Sequence, residues 1–232
     1  MGSRLFTFGC SFTNYRWSTW ADCLAPEFDY FENWGQSGAG NHYIFNSIME
    51  ADQRHHFGAG DTVVVCWTNV MREDRYTDRW QTLGNITTCP IYDPGYVRDA
   101  ITERGCLIRD IAMIKAIGSF LNNCAGVNSK FLSMCDITNP RQFDYSPGDQ
   151  DIFDLYQPVL NNIMPSYQTV LYPSGWKLSD DPHPTPAEHL AYLDEVLPGW
   201  VTKAATRATM HEETINLRKD PKKSGMTKVI RL

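Results

Sequence analysis

The length, composition and charge of the chain exclude several classes of protein. Its 232 residues are 42% hydrophobic and 21% charged, a globular mixture that excludes a fully disordered chain, collagen and a coiled coil. The formal net charge is −6, which argues against nucleic acid as a partner, because broad binding to phosphates needs a basic surface. All apolar runs are shorter than the ~18 residues of a membrane span, so no membrane partner is expected either.

The two ends of the chain lead to different expectations. Residues 1–5 pass directly into an apolar run without the regions of a signal peptide, so a cytoplasmic protein is expected. Residues 216–232 contain six basic residues and one acidic residue. We therefore expect one domain over residues 1–205 and a basic extension over residues 206–232. A partly disordered tail, an extra helix and a subunit contact are all compatible with that extension, and the oligomeric state stays open.

Strand-like and helix-like segments alternate along the chain. Runs rich in aromatic and β-branched residues predict strands at Arg4–Phe8, Phe28–Asn33, Val63–Trp67, Lys130–Met134 and Thr169–Tyr172. Apolar residues at helical spacing predict helices at Trp17–Leu24, Asn41–Ala51, Cys106–Leu121 and Ile152–Met164. Thr185, Pro186 and Glu188 form a capping box that opens a last helix. This alternation predicts an α/β fold in which helices cover both faces of a parallel sheet.

Polar residues follow the predicted strands at the points where those strands end. Ser11 comes shortly after the first strand, and residues 33–41 are rich in glycine and amides after the second. Asn69 follows the third strand, and residues 180–184 carry carboxylates and an imidazole near the C-terminus. Ligands of parallel sheets bind at the carboxyl ends of the strands, so we expect these segments to converge on one edge.

The residue types in these segments match the needs of a serine nucleophile. A serine hydroxyl attacks only when an imidazole takes its proton, and a carboxylate must orient that imidazole. Ser11, His183 and the carboxylates of residues 180–181 supply these groups. The charge that develops on the attacked oxygen needs preorganised donors. The backbone at Gly38 can approach a carbonyl closely, and the Asn69 amide is a neutral donor.

Four short blocks occur in the order that is typical of one hydrolase superfamily. They are Gly9-Cys10-Ser11-Phe12, residues 33–38, Thr68-Asn69 and Asp180-Asp181-Pro182-His183-Pro184. In these blocks the chain resembles the SGNH (GDSL-type) hydrolases, which are named for their Ser, Gly, Asn and His. The resemblance implies a flavodoxin-like three-layer α/β/α sandwich around a mostly parallel five-stranded sheet. It also implies hydrolysis of an ester through a serine acyl-enzyme, without a cofactor or a metal.

The resemblance gives a role to each matched residue. Ser11 would be the nucleophile and His183 the general base. The Asp-x-x-His-Pro spacing of the superfamily selects Asp180 as the carboxylate that orients His183, and Asp181 is the alternative. The oxyanion hole would consist of the backbone N–H groups of Ser11 and Gly38 and the side-chain amide of Asn69.

The chain departs from the superfamily in two of its blocks. Cys10 and Phe12 replace the Asp and Leu of the name-giving motif, and the usual glycines before Asn69 are missing. Neither Cys10 nor Phe12 occupies a position that carries the chemistry, whereas the missing glycines make the placement of Asn69 the least secure assignment. Cys10 is an alternative nucleophile, although a thiol at the end of a strand is expected to be buried and structural.

Cofactor and metal sites are not expected. Residues 35–40 have the spacing G-x-x-G-x-G after the second strand, not the dinucleotide fingerprint G-x-G-x-x-G after the first. The spacing of Asp180, His183 and His189 does not match a zinc motif. The seven cysteines form no C-x-x-C pair.

Residues 72–100 interrupt the alternation and are rich in aromatic and cationic side chains. Trp67, Arg72 and Trp80 lie at or within this insertion and are candidate substrate contacts. Such side chains can stack on sugar rings or bind an anionic acyl group. Packing of the same aromatic rings onto the edge of the sheet is the alternative.

Taken together, the residues favour a serine esterase that acts on an acyl ester, with an acetyl ester of a carbohydrate as one case. Its partner would be a small-molecule or carbohydrate ester substrate. Two alternatives use the same fold: a binding or structural module without turnover, and an O-acyltransferase that passes the acyl group to an alcohol.

Overall fold

Four parallel strands form the central sheet of the protein. The computed structural model describes residues 2–89, 91–138, 150–173 and 181–219. In chain order the strands are β1 (Arg4–Phe8), β2 (Tyr30–Asn33), β3 (Asp61–Trp67), β4 (Arg72–Tyr76), β5 (Trp80–Asn85) and β6 (Asn128–Ser133). The central sheet has the order β2-β1-β3-β6, and all of its pairs are parallel. Strands β4 and β5 form a separate antiparallel hairpin.

Strand β3 lies in the interior of the sheet because its sequence tolerates burial on both faces. All seven residues of Asp61–Trp67 are buried, and the strand pairs with β1 on one side and β6 on the other. Its Val-Val-Val-Cys run is the kind of continuous apolar sequence that a two-sided parallel strand requires. The sole acidic residue, Asp61, sits at the start of β3 and forms an ion pair with Arg4 at 2.6 Å.

Helices cover both faces of the sheet. They are α1 (Trp20–Leu24), α2 (Asn41–His55), α3 (Pro94–Ala100), α4 (Glu103–Asn123), α5 (Gln150–Leu160), α6 (Tyr167–Leu171), α7 (Pro186–Val196) and α8 (Ala204–Lys219). Helix α4 packs against α2 and α5, whereas α7 packs against α1, α6 and α8. The predicted α/β fold with a central parallel sheet is therefore confirmed. Within the described ranges, no helix has both the length and the apolar character that a membrane crossing demands.

The prediction of a fifth strand at Thr169–Tyr172 is wrong, because most of that segment lies in helix α6. Ser166 caps this helix, since its side chain accepts a hydrogen bond from the backbone N–H of Thr169. The position beside β6 is held instead by a single parallel bridge between Phe131 and Ile163. Pro165 follows two residues later and has no N–H to continue the ladder. The central sheet of the described chain thus has four strands rather than five.

The C-terminal part of the described chain is a helix that packs on the domain. The predicted boundary between residues 205 and 206 falls within α8, which starts at Ala204. Thr214 on α8 accepts a hydrogen bond from the backbone N–H of Ala187 at 2.9 Å. Arg207 forms an ion pair with Asp194 of α7 at 2.6 Å. The four basic residues at positions 222, 223, 228 and 231 lie outside the described residues.

Candidate active site

The turn after β1 places Ser11 at the carboxyl edge of the sheet. Gly9 makes this turn possible with a φ of +156°, and a Cβ at that position would lie 2.1 Å from Thr13 Oγ1. The chain then folds back, since the N–H groups of Thr13 and Asn14 both donate to the carbonyl of Cys10, at 2.9 and 3.1 Å. Ser11 itself is largely buried, with only 5% of its surface exposed.

His183 reaches Ser11 from the other end of the chain. The Nε2 atom of His183 lies 2.8 Å from Ser11 Oγ, although the two residues are 172 positions apart. His183 precedes α7, whose start is held by the predicted capping box of Thr185 and Glu188. The structure thus brings together the hydroxyl and the imidazole that the sequence pointed to.

The carboxylate on the far side of the imidazole belongs to Asp181. Its Oδ1 lies 2.7 Å from His183 Nδ1 and also accepts the backbone N–H of His183 at 3.0 Å. An aspartate two residues before the histidine can reach the ring because its bond to the His183 backbone N–H forms a turn. This bond fixes the carboxylate beside the ring. Asp180, which the superfamily spacing selected, lies outside the described residues. Among the described residues, Asp181, the alternative to Asp180 in the sequence analysis, is the carboxylate that contacts the His183 ring.

Two donors bind the second oxygen of Asp181. The Tyr15 hydroxyl and Arg16 Nη2 donate to Oδ2 at 2.8 and 2.7 Å. Burial raises the pKa of Asp181, but the hydrogen bonds from His183 and Tyr15 outweigh it, so that the pKa falls below its ordinary value. Burial, together with the bond to Asp181, raises the pKa of Tyr15 to about 12. Asp181 is therefore a charged acceptor at neutral pH and Tyr15 a protonated donor.

The environment of His183 keeps its imidazole neutral. Burial is the main cause that lowers the pKa of His183, and the cations Arg72 and Arg16 add to it. The hydrogen bond and the charge of Asp181 oppose this effect without overcoming it. The neutral ring donates from Nδ1 to Asp181, which leaves Nε2 free to accept the proton of Ser11.

Tyr15 also packs directly on the imidazole. The two rings are stacked with centroids 3.9 Å apart and an angle of 17° between their planes. The ring centroid of Phe12 lies 5.7 Å from that of the same imidazole. Tyr15 and Arg16 were not predicted as site residues. The only trace of them in the sequence is their position in the turn that follows Ser11.

The candidate oxyanion donors lie in the segments that follow β2 and β3, at the carboxyl edge of the sheet. Gly38 has a φ of +79°, and a Cβ there would lie 2.0 Å from the carbonyl oxygen of Thr82, so only glycine fits. Asn69 follows β3, and its Oδ1 accepts the N–H of Met71 at 2.7 Å. This bond fixes the orientation of the amide, whose Nδ2 donates to no group within the described ranges. Nδ2 is thus the part of Asn69 that remains for a ligand.

A buried asparagine holds the chain next to Asn69. Asn41 donates to the carbonyl of Thr68 at 3.1 Å and accepts the N–H of Thr68 at 2.9 Å, so it binds both backbone groups of that residue. Its amide also donates to Asp110 at 2.7 Å. Arg109 forms an ion pair with Asp110 at 2.6 Å and donates to the carbonyl of Val70 at 3.1 Å. This network was not predicted from the sequence.

The β4–β5 hairpin supports the loop that carries Gly38. Asp74 of β4 is fully buried, and its two oxygens accept the N–H groups of Gly40 and Tyr43, each at 2.8 Å. N–H groups at the start of a helix have no acceptor within the helix. Asp74 of the hairpin therefore caps the N-terminus of α2. The N–H of Gly84 also donates to the carbonyl of Gly38 at 3.0 Å.

The three predicted substrate contacts have different surroundings. Trp67 is fully buried and packs on Phe131, so it is a core residue and not a substrate contact. Arg72 donates to the carbonyl of Ala39 at 3.0 Å and thus supports the loop that carries Gly38. Trp80 is only partly buried and lines an open cavity. Cys10, the alternative nucleophile, is completely buried, and its Sγ lies 3.8 Å from Met134 Sδ.

Comparison with known proteins gives similar solved structures but no matching family model or curated protein. Acetylxylan esterase Axe2 from Geobacillus stearothermophilus, in the form of a catalytic mutant, is similar with a TM-score of 0.47 and 15% identity, over 88% of this chain and 99% of that one. A lipolytic protein of the G-D-S-L family from Veillonella parvula has a TM-score of 0.41 and 14% identity, over 85% and 99%.

A third similar structure is the esterase EstA from Pseudoalteromonas, with a TM-score of 0.41 and 11% identity, over 94% of this chain and all of that one. Identities of 15% or less and TM-scores below 0.5 do not transfer an activity to this chain. The SGNH (GDSL-type) hydrolases are the superfamily that the chain resembles in its motifs, and a GDSL-type protein and esterases are among the solved structures that resemble it in fold.

Proposed function

We propose that this protein is a serine esterase of the SGNH type that cleaves an acyl ester. The single observation that carries this proposal is the continuous chain of hydrogen bonds from Ser11 through His183 to Asp181, at 2.8 and 2.7 Å. A hydroxyl, a neutral imidazole and a charged carboxylate in this order are the groups that serine catalysis requires. A binding module without turnover has no need of this arrangement.

The first half of the reaction forms an acyl-enzyme. Nε2 of His183 takes the proton of Ser11 while Oγ attacks the ester carbonyl, and Asp181 stabilises the imidazolium that results. The oxyanion is bound by the backbone N–H groups of Ser11 and Gly38 and by Nδ2 of Asn69. The imidazolium then gives its proton to the alcohol oxygen as the carbon–oxygen bond of the ester breaks, and the alcohol leaves.

The second half repeats these steps with water. His183 takes a proton from the water as its oxygen attacks the acyl carbon, and the same donors bind the second oxyanion. The proton returns to Ser11 Oγ as the acyl bond breaks, so that the acid is released and the enzyme is regenerated. An O-acyltransferase would follow the same course with an alcohol in place of water.

The experiment that tests the proposal measures turnover and labelling of the nucleophile. Wild type is expected to hydrolyse p-nitrophenyl acetate and to react with a fluorophosphonate probe, and Ser11→Ala is expected to lose both. Ser119→Ala on α4 serves as the control, since it is the same chemical change far from the triad of Ser11, His183 and Asp181. Labelling that persists in Ser11→Ala would refute the assignment of the nucleophile, and inertness of wild type toward several acyl esters would refute the esterase.

A product analysis separates hydrolysis from acyl transfer. Methanol and a soluble sugar are added to the esterase assay, and the products are resolved by mass spectrometry. The free acid as the main product supports the hydrolase. Transfer of most acyl groups to the added alcohol would support the acyltransferase instead.

A further inference from the structure

A cavity is lined by Tyr15 and Arg16, two residues that contact His183 and Asp181. Its volume is about 680 Å³, within the range of small-molecule sites. Tyr15 and Arg16 form one wall. Gln36 and Ser37, which precede Gly38, form another. A molecule in this cavity would therefore contact the two residues that support His183 and Asp181 and the two residues that precede Gly38.

The side chains around the cavity combine aromatic faces with polar tips. Five aromatic residues line it: Tyr15, Trp34, Tyr43, Tyr76 and Trp80. None of the described residues that line it is Leu, Ile, Val, Met or Phe. The aliphatic side chains that commonly surround a long alkyl chain are absent from these described walls. The C–H face of a sugar ring packs on aromatic rings, and its hydroxyls bond to the polar groups between them.

The charges in the cavity nearly cancel. Arg54 is paired with Glu50, and Arg16 with Asp181 at 2.7 Å. Asp78 and Arg79 are neighbours at the tip of the hairpin, with opposite charges. A strongly anionic ligand would need a surplus of unpaired cations, so this balance favours a neutral ligand that carries many hydroxyls.

The aromatic wall of the hairpin is held in a fixed orientation. The ring of Trp80 meets the rings of His42, Tyr43 and Tyr76 edge-on, with centroids 5.5 to 5.6 Å apart. Tyr76 is 65% exposed, so much of its ring remains available to a ligand. Such rings lose little conformational freedom when a ligand binds, which is the advantage of a preformed site.

We infer that this cavity binds the alcohol part of the substrate, and that this part is a neutral carbohydrate of one or more sugar rings. The inference rests on the proposed esterase, since it assigns a substrate class to the same site. It makes the β4–β5 hairpin a specificity element, with Tyr76 and Trp80 as its sugar contacts.

The test measures sugar binding without turnover, so that it does not depend on the esterase reaction. Ser11→Ala protein is titrated with β-1,4-linked xylose and glucose oligosaccharides by isothermal calorimetry. We expect binding that weakens at least tenfold when Tyr76→Ala or Trp80→Ala is added. Trp80→Tyr, which keeps an aromatic face, is expected to retain most of the affinity. Tyr96→Ala, an exposed tyrosine of the insertion outside the cavity, is the matched control.

Kinetics give a second measure on the active enzyme. The ratio of kcat/KM for acetylated oligosaccharides to that for p-nitrophenyl acetate is expected to fall at least tenfold in Tyr76→Ala and Trp80→Ala, with circular dichroism confirming the fold. Absence of sugar binding at millimolar concentration, or equal affinity in all variants, would overturn the inference. A wild type that binds sugars but cleaves no ester would overturn the esterase and leave the sugar site standing.

Discussion

The ring of Tyr15 lies parallel to the ring of His183 at 3.9 Å, while the hydroxyl of the same tyrosine donates to Asp181 at 2.8 Å. One side chain thus contacts both the base and the group that orients it. The stacking restricts rotation of the imidazole, and the hydrogen bond stabilises the charge of the carboxylate. In the proposed reaction Tyr15 is therefore a positioning residue, which acts through His183 and Asp181 rather than on the substrate.

Removal of the Tyr15 hydroxyl should change the pH profile. The hydrogen bond from Tyr15 helps to lower the pKa of Asp181. Without it the carboxylate is less stabilised and interacts more strongly with a protonated His183, so the pKa of His183 rises. In Tyr15→Phe we therefore expect the acidic limb of kcat/KM to move to higher pH, whereas Tyr15→Ala should also lose kcat because the stacking is gone. Identical pH profiles in wild type and Tyr15→Phe would contradict this role.

The wild-type pH profile follows from the lowered pKa of His183. Only the neutral ring can take the proton of Ser11, so activity is present above the pKa of His183 and is lost as the pH falls through it. Because burial lowers that pKa, the acidic limb is expected below the ordinary histidine value of about 6.5. The measurement is kcat/KM for p-nitrophenyl acetate from pH 4 to pH 9. An acidic limb well above pH 7 would show that another group controls the rate.

The two adjacent aspartates provide a direct test of the orienting residue. Asp181→Asn is expected to lower kcat by about a factor of 10³–10⁴, since loss of this carboxylate leaves the imidazole in the wrong tautomer. Asp180→Asn is the matched control, with the same chemical change one residue earlier, and should retain activity within about tenfold. The opposite result would restore the role that the superfamily spacing gave to Asp180.

The main parts of the site could be predicted because parallel strands end at a common edge. Ser11 follows β1 at that edge, so the strand-end rule indicated its place. Its pairing with His183, 172 residues away, was expected from the chemistry of a serine nucleophile and from the resemblance to the superfamily. The capping box of Thr185 and Glu188 is a local pattern and was equally readable. Local patterns, the strand-end rule and the motif resemblance therefore account for the parts that were found.

The supporting residues could not be predicted because their partners are set by packing. Tyr15 bonds to Asp181, 166 residues away, and Asp74 bonds to Gly40, 34 residues away. Nothing in a tyrosine or an aspartate taken alone indicates such partners. The missing fifth strand has a similar cause, since Pro165 and the cap at Ser166 outweigh the strand-forming residues that follow.

Asn41 should affect catalysis without contact to the substrate. It binds both backbone groups of Thr68, and Asn69 follows directly. In Asn41→Ala these groups lose their partner in a buried place, which we expect to cost about 1–3 kcal/mol in the free energy of unfolding. Displacement of Asn69 should also lower kcat more than it changes KM. Asn46→Ala on the same helix, whose amide binds only the carbonyl of His42, is the control. Loss of stability with unchanged kcat would show that Asn41 is merely structural.

Asp74 links the stability of the hairpin to the shape of the loop that carries Gly38. Its buried carboxylate accepts the N–H groups of Gly40 and Tyr43, and replacement by alanine leaves both donors unsatisfied. We expect Asp74→Ala to lose about 1–2 kcal/mol in urea unfolding, as for the loss of a helix cap, and to lower kcat because the Gly38 loop loosens. The exposed Asp78 at the tip of the same hairpin is the control, and Asp78→Ala should unfold like wild type. If Asp74→Ala kept the kcat of wild type, the hairpin would serve substrate binding alone. The loop that carries Gly38 would then hold its shape without the Asp74 carboxylate.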